Sequence, residues 1–456
     1  MTEASAPAPY GATIAEGEKP AIPLVSDAYR RYALLLLMLV YTVNFLDRQI
    51  VTILAEPIKN DLHIADWQIG LMTGFAFAVF YTVLGLPIAR LAESFNRVWI
   101  IGASLTVWSG FTLACGAAGN FVQLVLCRIG VGIGEAGCTP TAHSLISDYT
   151  PKEKRASALA FFSIGTPLGG LLGLAMGGVI ADAWGWRTAF LVAGLPGLLF
   201  ALIVFLTMRE PRNALPPEAR AQHAPGKGHF KATLQYLSSK PTFWFVAFAA
   251  AIKAFIGYGH APFTASFFFR NHGEEVASLA AMFGLKSAGF LGLALGLMGG
   301  AAGVISSWLG GFIADQAAKR DLRAYMSVPA IASLLSPCAF VFAMLVDSAV
   351  AALFILLIPG LLGSLWYGPV YATAQGLVPI QMRATTASIM LFIINMVGLG
   401  LGPLAVGVLS DVLAGPMGMG SAEGVRWALI ISAMLGVGAF GLFWMARRTI
   451  REEMVS

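Results

Sequence analysis

The sequence predicts an all-α membrane protein, with twelve transmembrane helices in two pseudo-symmetric six-helix bundles. Three observations carry this. Of 456 residues, 57% are hydrophobic and 12% charged, about half the charge of an average soluble domain. Mostly apolar stretches such as 188–208 and 287–314 reach the roughly 20 residues needed to span hydrocarbon. Short motifs also recur at a nearly constant offset. No recurring segments of about 10 alternating residues suggest a barrel, and helices then remain to satisfy backbone polar groups in lipid.

Residues 1–29, rich in Ala, Pro and Glu, lack a basic segment followed by an apolar one. They are expected to form a disordered cytoplasmic tail rather than a signal peptide. Hydropathy places helices 1–6 near 30–57, 68–91, 98–117, 121–146, 155–182 and 188–208, an N-terminal bundle over 30–208. The polar stretch 209–240, with four prolines and six basic residues, is expected to be a cytoplasmic linker. Helices 7–12 follow near 241–270, 287–315, 325–347, 349–378, 384–413 and 425–447. They make a C-terminal bundle over 241–448, with a cytoplasmic tail over 449–456. Of the 29 Lys and Arg, 21 fall on the side of the chain's two ends and 5 on the other. This bias puts both termini in the cytoplasm.

The two halves repeat. Glu93, after helix 2, corresponds to Asp315, after helix 8. Arg155 opens helix 5 as Arg383 opens helix 11, and these helices end at Asp182 and Asp411, 229 residues apart. Such a duplicated unit places a solute site between the halves near mid-membrane.

On these residues the chain resembles the major facilitator superfamily over essentially everything after about residue 30. The loop signature between helices 2 and 3 reads Glu93-Ser94-Phe95-Asn96-Arg97, with Ala89 and Val98 departing from pattern. The copy in the second half, Gly311, Asp315, Lys319 and Arg320, is closer. Helix 4 carries Arg128-Ile-Gly-Val-Gly132-Ile-Gly134. Within the superfamily the chain is similar to the Spinster lipid transporters, through Asn44-Phe-Leu-Asp47-Arg48, Gly132-Ile-Gly-Glu135-Ala, Asp148 and Arg155. The resemblance implies the major facilitator fold, with helices 1 and 4 facing a central cavity and helices 7 and 10 moving most. It also implies alternating access and an amphipathic anionic lipid, such as a lysophospholipid or sphingoid phosphate, as solute. A proton-coupled carrier of small organic anions is the alternative.

Five ionisable residues fall inside predicted spans: Asp47, Arg48, Arg128, Glu135 and Lys253. Each costs roughly 2.5–3.5 kcal/mol at a helix centre, so they must pair or line water. Asp47 and Arg128 lie at similar depth, and Glu135 sits one heptad further along the face of Arg128. Asp47, Arg128 and Glu135 are therefore expected to form a proton-sensitive ion-pair cluster, in which protonating a carboxylate frees an arginine. Arg48 and Arg128 are the candidates for an anionic headgroup. The competing reading is a permanent interhelical ion pair. Tyr41, Asn44, Lys253, Tyr258, His260, Trp366 and Tyr367 are further candidates for lining the solute path.

Gly257 and Pro262 in helix 7, and Gly368 and Pro369 in helix 10, are expected to break or kink their helices. At the cytoplasmic ends, Glu93, Arg97, Asp148, Arg155, Asp315, Lys319, Arg320 and Arg383 are expected to form a gate of carboxylates, helix N-termini and arginines. The glycine-rich faces of helices 5 and 11 suit close packing that can slide. Cys115, Cys127, Cys138 and Cys338 read as small core residues, and no histidine pair has ligand spacing, so no metal and no cofactor are expected. No phosphate-binding loop, nucleophile elbow or zinc helix occurs, which argues against an ATP-driven pump or an enzyme. The scattered basic residues form no nucleic-acid face. The expected partners are the solute, protons and the bilayer of a bacterial inner membrane, with the chain acting as a monomer.

Overall fold

The structure, a computed structural model, describes residues 25–214 and 230–455. Among these are twelve helices long and apolar enough to cross a membrane. They are α1 (Asp27–Ile53), α2 (Asp66–Ala92), α3 (Arg97–Gly116), α4 (Phe121–Tyr149), α5 (Lys152–Trp184) and α6 (Trp186–Asn213), then α7 (Pro241–Asn271), α8 (Ser287–Ala318), α9 (Ala324–Leu345), α10 (Ala349–Gly376), α11 (Arg383–Ala414) and α12 (Gly420–Glu453). Most of the expected tail at 1–29 lies outside the described residues, as does 215–229 of the expected linker. Inside that linker, Phe230–Ser238 is helical, and α12 continues into the stretch expected as tail. Twelve spans put both described ends on one side, called the terminus side below.

Apolar side chains face outward as a lipid-spanning helix requires. On α6, Leu195, Leu199, Leu202 and Leu206 follow one another at three- and four-residue spacing and are all more than half exposed. Within the first half α1 packs on α5 and α3 on α6, while α7 and α9 pack on α12 in the second. Between the halves α5 meets α8 and α2 meets α11. Small residues make these crossings possible. A Cβ on Gly178 would stand 2.1 Å from the Ala288 carbonyl oxygen, and one on Gly292 2.1 Å from that of Leu174.

One apolar core joins the halves on the side opposite the termini, with Ile53, Leu54, Ile69 and Phe190 from the first half and Phe267, Phe268, Leu291 and Leu429 from the second. Toward the terminus side the core divides in two. One part surrounds Trp108, Tyr149 and Phe162, the other Phe243, Trp366 and Phe443. The halves thus share one core at one end, and it divides into two at the other, with Leu399 of α11 reaching into the first of these and Tyr258 of α7 touching both.

Several spans are irregular. α2 contains a π-turn at Leu71–Phe75, and α11 a π-segment at Ile394–Leu401 just before Gly402-Pro403. α4 stops at Glu135 and resumes at Cys138, while α10 stops at Gly363 and resumes at Tyr367. Gly368 and Pro369 therefore fall in the first turn after a break, where a missing N–H is tolerated. The expected break in α7 does not form: the helix is continuous from Pro241 to Asn271 with Pro262 inside it. Neighbours hold it there. Gly259 lies against the backbone of Gly402, and the Thr264 and Ser266 hydroxyls donate to the carbonyls of His260 and Pro262. The core assignment of the cysteines also needs correction. Cys115 and Cys138 are buried, Cys127 is half-buried, and Cys338 is exposed on α9, where an apolar thiol suits the lipid-facing surface of a spanning helix.

Candidate functional site

The glycines of α4 build the charged centre. A Cβ at Gly132 would stand 2.6 Å from the Phe77 carbonyl oxygen, and one at Gly134 2.5 Å from the Trp108 nitrogen. Lacking side chains there, α4 presses against α2 and α3 and carries Arg128 and Glu135 into the bundle. Both are fully buried, as are Asn44 and Asp47 of α1. Arg48 Nε donates to Glu135 Oε2 at 2.6 Å. Its guanidinium carbon lies over the rings of Tyr81, Phe77 and Phe45 at 4.4, 5.1 and 5.3 Å. The Arg128 guanidinium shares Phe77, at 5.4 Å. The Thr112 hydroxyl donates to Asp47 Oδ2 at 3.1 Å.

The four charges expected together in the first half are together, but the ion pair differs from the expected one. Glu135 pairs with Arg48, not Arg128, because the break after Glu135 ends α4 beside α1 and the long Arg48 side chain reaches it. Asp47 Oδ1, Arg128 Nε and Nη1, and Glu135 Oε1 are buried with no hydrogen-bond partner among the described residues. A cluster in which every arginine and carboxylate were mutually satisfied would be a rigid strut. This one retains unused acceptors and donors side by side.

Arg48 and Arg128 also line a small cavity of about 40 Å³ between the halves, with Thr52, Thr73, Tyr258 and Pro403. That volume suits a water molecule or two. Tyr41 stacks on Phe162 at 4.3 Å in the first half, and Trp366 on Tyr367 at 4.0 Å in the second. Tyr258 packs against the cores of both halves. His260 and Lys253 face away from the arginines into a separate cavity of the second half.

At the terminus side the expected gate residues bond within their own halves. Arg97 is wholly buried. Its Nη1 meets Asp148 Oδ2 at 2.6 Å and Ser144 Oγ at 2.9 Å. Its Nη2 and Nε grip Glu210, whose Oε2 also accepts the Arg97 backbone N–H at 2.8 Å. This hub ties the ends of α3, α4 and α6. Arg155 and Arg383 play equivalent parts: each Nε donates at 3.2 Å to a carbonyl at the end of the preceding helix, Thr150 and Gln375. Asp315 accepts from the Tyr325 hydroxyl at 2.9 Å, and Lys319 donates to Gln316. The Arg320 side chain makes no hydrogen bond or ion pair with a described residue, and the side chain of Glu93 lies outside the described residues.

Among the described residues, the polar bonds between halves lie on the opposite side. The two repeated aspartates make the symmetric part. Asp182 of α5 accepts from the Gly289 N–H at the start of α8, at 2.6 Å. Asp411 of α11 accepts from the Asp66 and Trp67 N–H groups at the start of α2, at 3.0 and 2.7 Å. Each caps a helix of the other half. Beside them Arg270 of α7 bridges Glu56 and Asp66 with contacts of 2.8 Å, and the Ser410 hydroxyl donates to Asp66 at 2.7 Å.

Sequence reasoning singled out Asp182 and Asp411 as repeat markers without assigning them this role. It missed Phe77, Tyr81, Thr112, Glu210 and Arg270. Glu210 was hidden at the start of a polar linker, and Arg270 counted only toward loop charge. Phe77 and Tyr81, at i and i+4 among the apolar residues of α2, carry no sequence signal beyond their ring chemistry.

Two six-helix halves around buried charge are the architecture of a secondary transporter. Residues 37–403 match the Major Facilitator Superfamily. The chain belongs to that superfamily and is an integral, multi-pass membrane protein. It is 33% identical to an MFS-type efflux pump of Mycolicibacterium smegmatis, over 92% of this chain and 93% of that one. It is 26% identical to the hexuronate transporter of Bacillus subtilis, over 83% and 87%. The solved structure of a bacterial homologue of the human lysosomal transporter Spinster, inward-facing and unoccupied, superposes with a TM-score of 0.83. It shares 31% identity and covers 95% of this chain and 100% of that one.

Proposed function

We propose that the chain is a proton-coupled carrier of an amphipathic anion, such as a lysophospholipid or sphingoid phosphate. The observation that carries this is the Arg48–Glu135 pair beside the half-satisfied Asp47 and Arg128. Protonating Glu135 removes the counter-charge from Arg48. Both guanidiniums line the small cavity between the halves, so an arginine released there meets an arriving anion. A planar guanidinium pairs bidentately with phosphate and carboxylate headgroups. The apolar side chains of Phe45, Phe77 and Tyr258 beside the arginines suit contact with the first carbons of an attached chain.

With both termini cytoplasmic, as the loop charge favours, the halves part toward the cytoplasm and the paired aspartates close the far side. The protein then sits in a bacterial inner membrane, and as a monomer each chain carries its own path. Arg97, Asp148 and Glu210 would hold the cytoplasmic ends of the first half as one body during the rocking motion.

The test is uptake into proteoliposomes with a pH-reporting dye inside. Lysophosphatidylglycerol or sphingosine phosphate should enter with movement of protons. Glu135→Gln should abolish the linkage between the two fluxes. Transport of glucuronate with no response to the lipids would overturn the amphiphile and favour a small-organic-anion carrier, a second reading for which the hexuronate transporter relative speaks.

A further inference from the structure

A cavity of about 240 Å³ lies inside the second half, between α7, α8, α9, α10 and α12. Its walls are mainly apolar, including Leu295, Met298, Phe340 and Leu356. Its polar groups on α7 are mostly engaged. His260 Nε2 shares a hydrogen bond with the Ser432 hydroxyl at 2.9 Å and its ring stacks on Phe340 at 4.4 Å. The Thr264 hydroxyl donates to the His260 carbonyl at 2.9 Å.

Lys253 is the exception. It is 7% exposed and lines this cavity. No hydrogen bond or ion pair joins its ammonium to a described residue, and no carboxylate stands in the cavity wall. Buried charges in proteins are paired or hold a ligand, and an unpaired one at mid-membrane costs roughly 2.5–3.5 kcal/mol. An ammonium at the margin of an apolar chamber is the chemical complement of an acid with a chain.

We infer that this cavity binds a single-chain amphiphile with a compact anionic head, a carboxylate or phosphate, which pairs with Lys253 while the chain lies among Leu295, Met298, Phe340 and Leu356. The site is distinct from the arginine pair because α7 stands between them. Tyr258, Ala261 and Pro262 face the cavity of Arg48 and Arg128, and Lys253, His260 and Thr264 face the other. The inference goes beyond the proton and headgroup roles proposed above, which use the opposite face of α7.

The experiment is equilibrium binding to the full chain in phosphatidylcholine nanodiscs, with dodecanoate, dodecyl phosphate, dodecanol and dodecyltrimethylammonium as probes. Dodecanoate and dodecyl phosphate should saturate a site at Lys253, and the cationic probe should not compete there. Lys253→Met should weaken the anions by tenfold or more and Lys253→Arg should retain them. Met298→Trp, which fills the chamber and leaves the charge, should weaken them too. Binding is read without flux or a proton gradient, so failure here and failure of the proton-coupling reading are separate outcomes. Wild-type affinity in Lys253→Met, equal binding of dodecanol, or loss of binding in Arg48→Met with retention in Lys253→Met would each overturn the inference. Discs of phosphatidylglycerol identify the occupant. Suppressed dodecanoate binding there assigns the site to a bilayer lipid and unchanged binding to a free amphiphile, and either outcome supports the anion site.

Discussion

Arg48 is held by one carboxylate and three aromatic rings, and that combination sets how each partner responds to substitution. Removing Glu135 as Ala leaves a buried guanidinium uncompensated, which typically costs about 3–5 kcal/mol. Glu135→Ala should therefore melt well below the wild type, and Glu135→Gln, which keeps the volume and one acceptor, should lose much less. Equal melting temperatures for the two variants would contradict this. Outside the membrane, Glu275 accepts from the Ala349 N–H at 2.6 Å and the Ser348 hydroxyl at 2.9 Å. The Ala349 N–H, first among these, holds its carboxyl below the usual carboxylate range. A depressed folded-state pKa stabilises above the unfolded value of about 4.3 and is lost as pH falls through the folded one. Acid should therefore destabilise the wild type more than Glu275→Gln, and Glu275→Ala should lose about 1 kcal/mol at neutral pH, as for a missing helix cap. A thermal melt series from pH 7 to pH 3 reads both. At this scale the sequence exposed the charges but not their pairing: five ionisable residues in apolar spans are conspicuous, yet which arginine Glu135 meets depends on where α4 breaks.

The elements that cross between halves divide their labour between backbone contact and capping. Gly178 and Gly292 touch the opposing helix backbone, so a methyl group at either must push α5 from α8. Gly303 of α8 has open space beside it. Gly178→Ala and Gly292→Ala should therefore lengthen the distance between spin labels on the opposite side, and Gly303→Ala should not. Asp182 and Asp411 add charge-assisted bonds worth roughly 1.5–3 kcal/mol each. Replacing both by Ala should shift the population toward opening on that side, with the single variants intermediate. Unchanged distance distributions in the double variant would show that the caps do not hold the halves. The 229-residue offset made the two aspartates visible as equivalents. Their cross-half targets were not legible, because capping at a distant helix start leaves no local pattern. Helix breaks were half legible. Gly-Pro in α10 coincides with one, whereas α7 stays helical through Pro262, beside the close packing of Gly259 on Gly402.

On the scale of the whole molecule, the shared core and every described polar bond between halves lie at one end, and the core divides in two toward the other. Rocking about the mid-membrane centre would exchange these ends. Twelve spans, their order and the repeat were readable from hydropathy and motif spacing, since each is a property of composition along the chain. The captured state was not, because it depends on contacts between residues hundreds of positions apart. On the proposed reading, the proton on Glu135 sets the Arg48 pair and thereby the balance between states. The most direct measurement places spin-label pairs across the halves on both sides and records their distances from pH 8 to pH 5, without solute. The wild type should exchange populations across that range, while Glu135→Gln should stay in one distribution at every pH. A Glu135→Gln variant that still follows pH as the wild type does would contradict the claim.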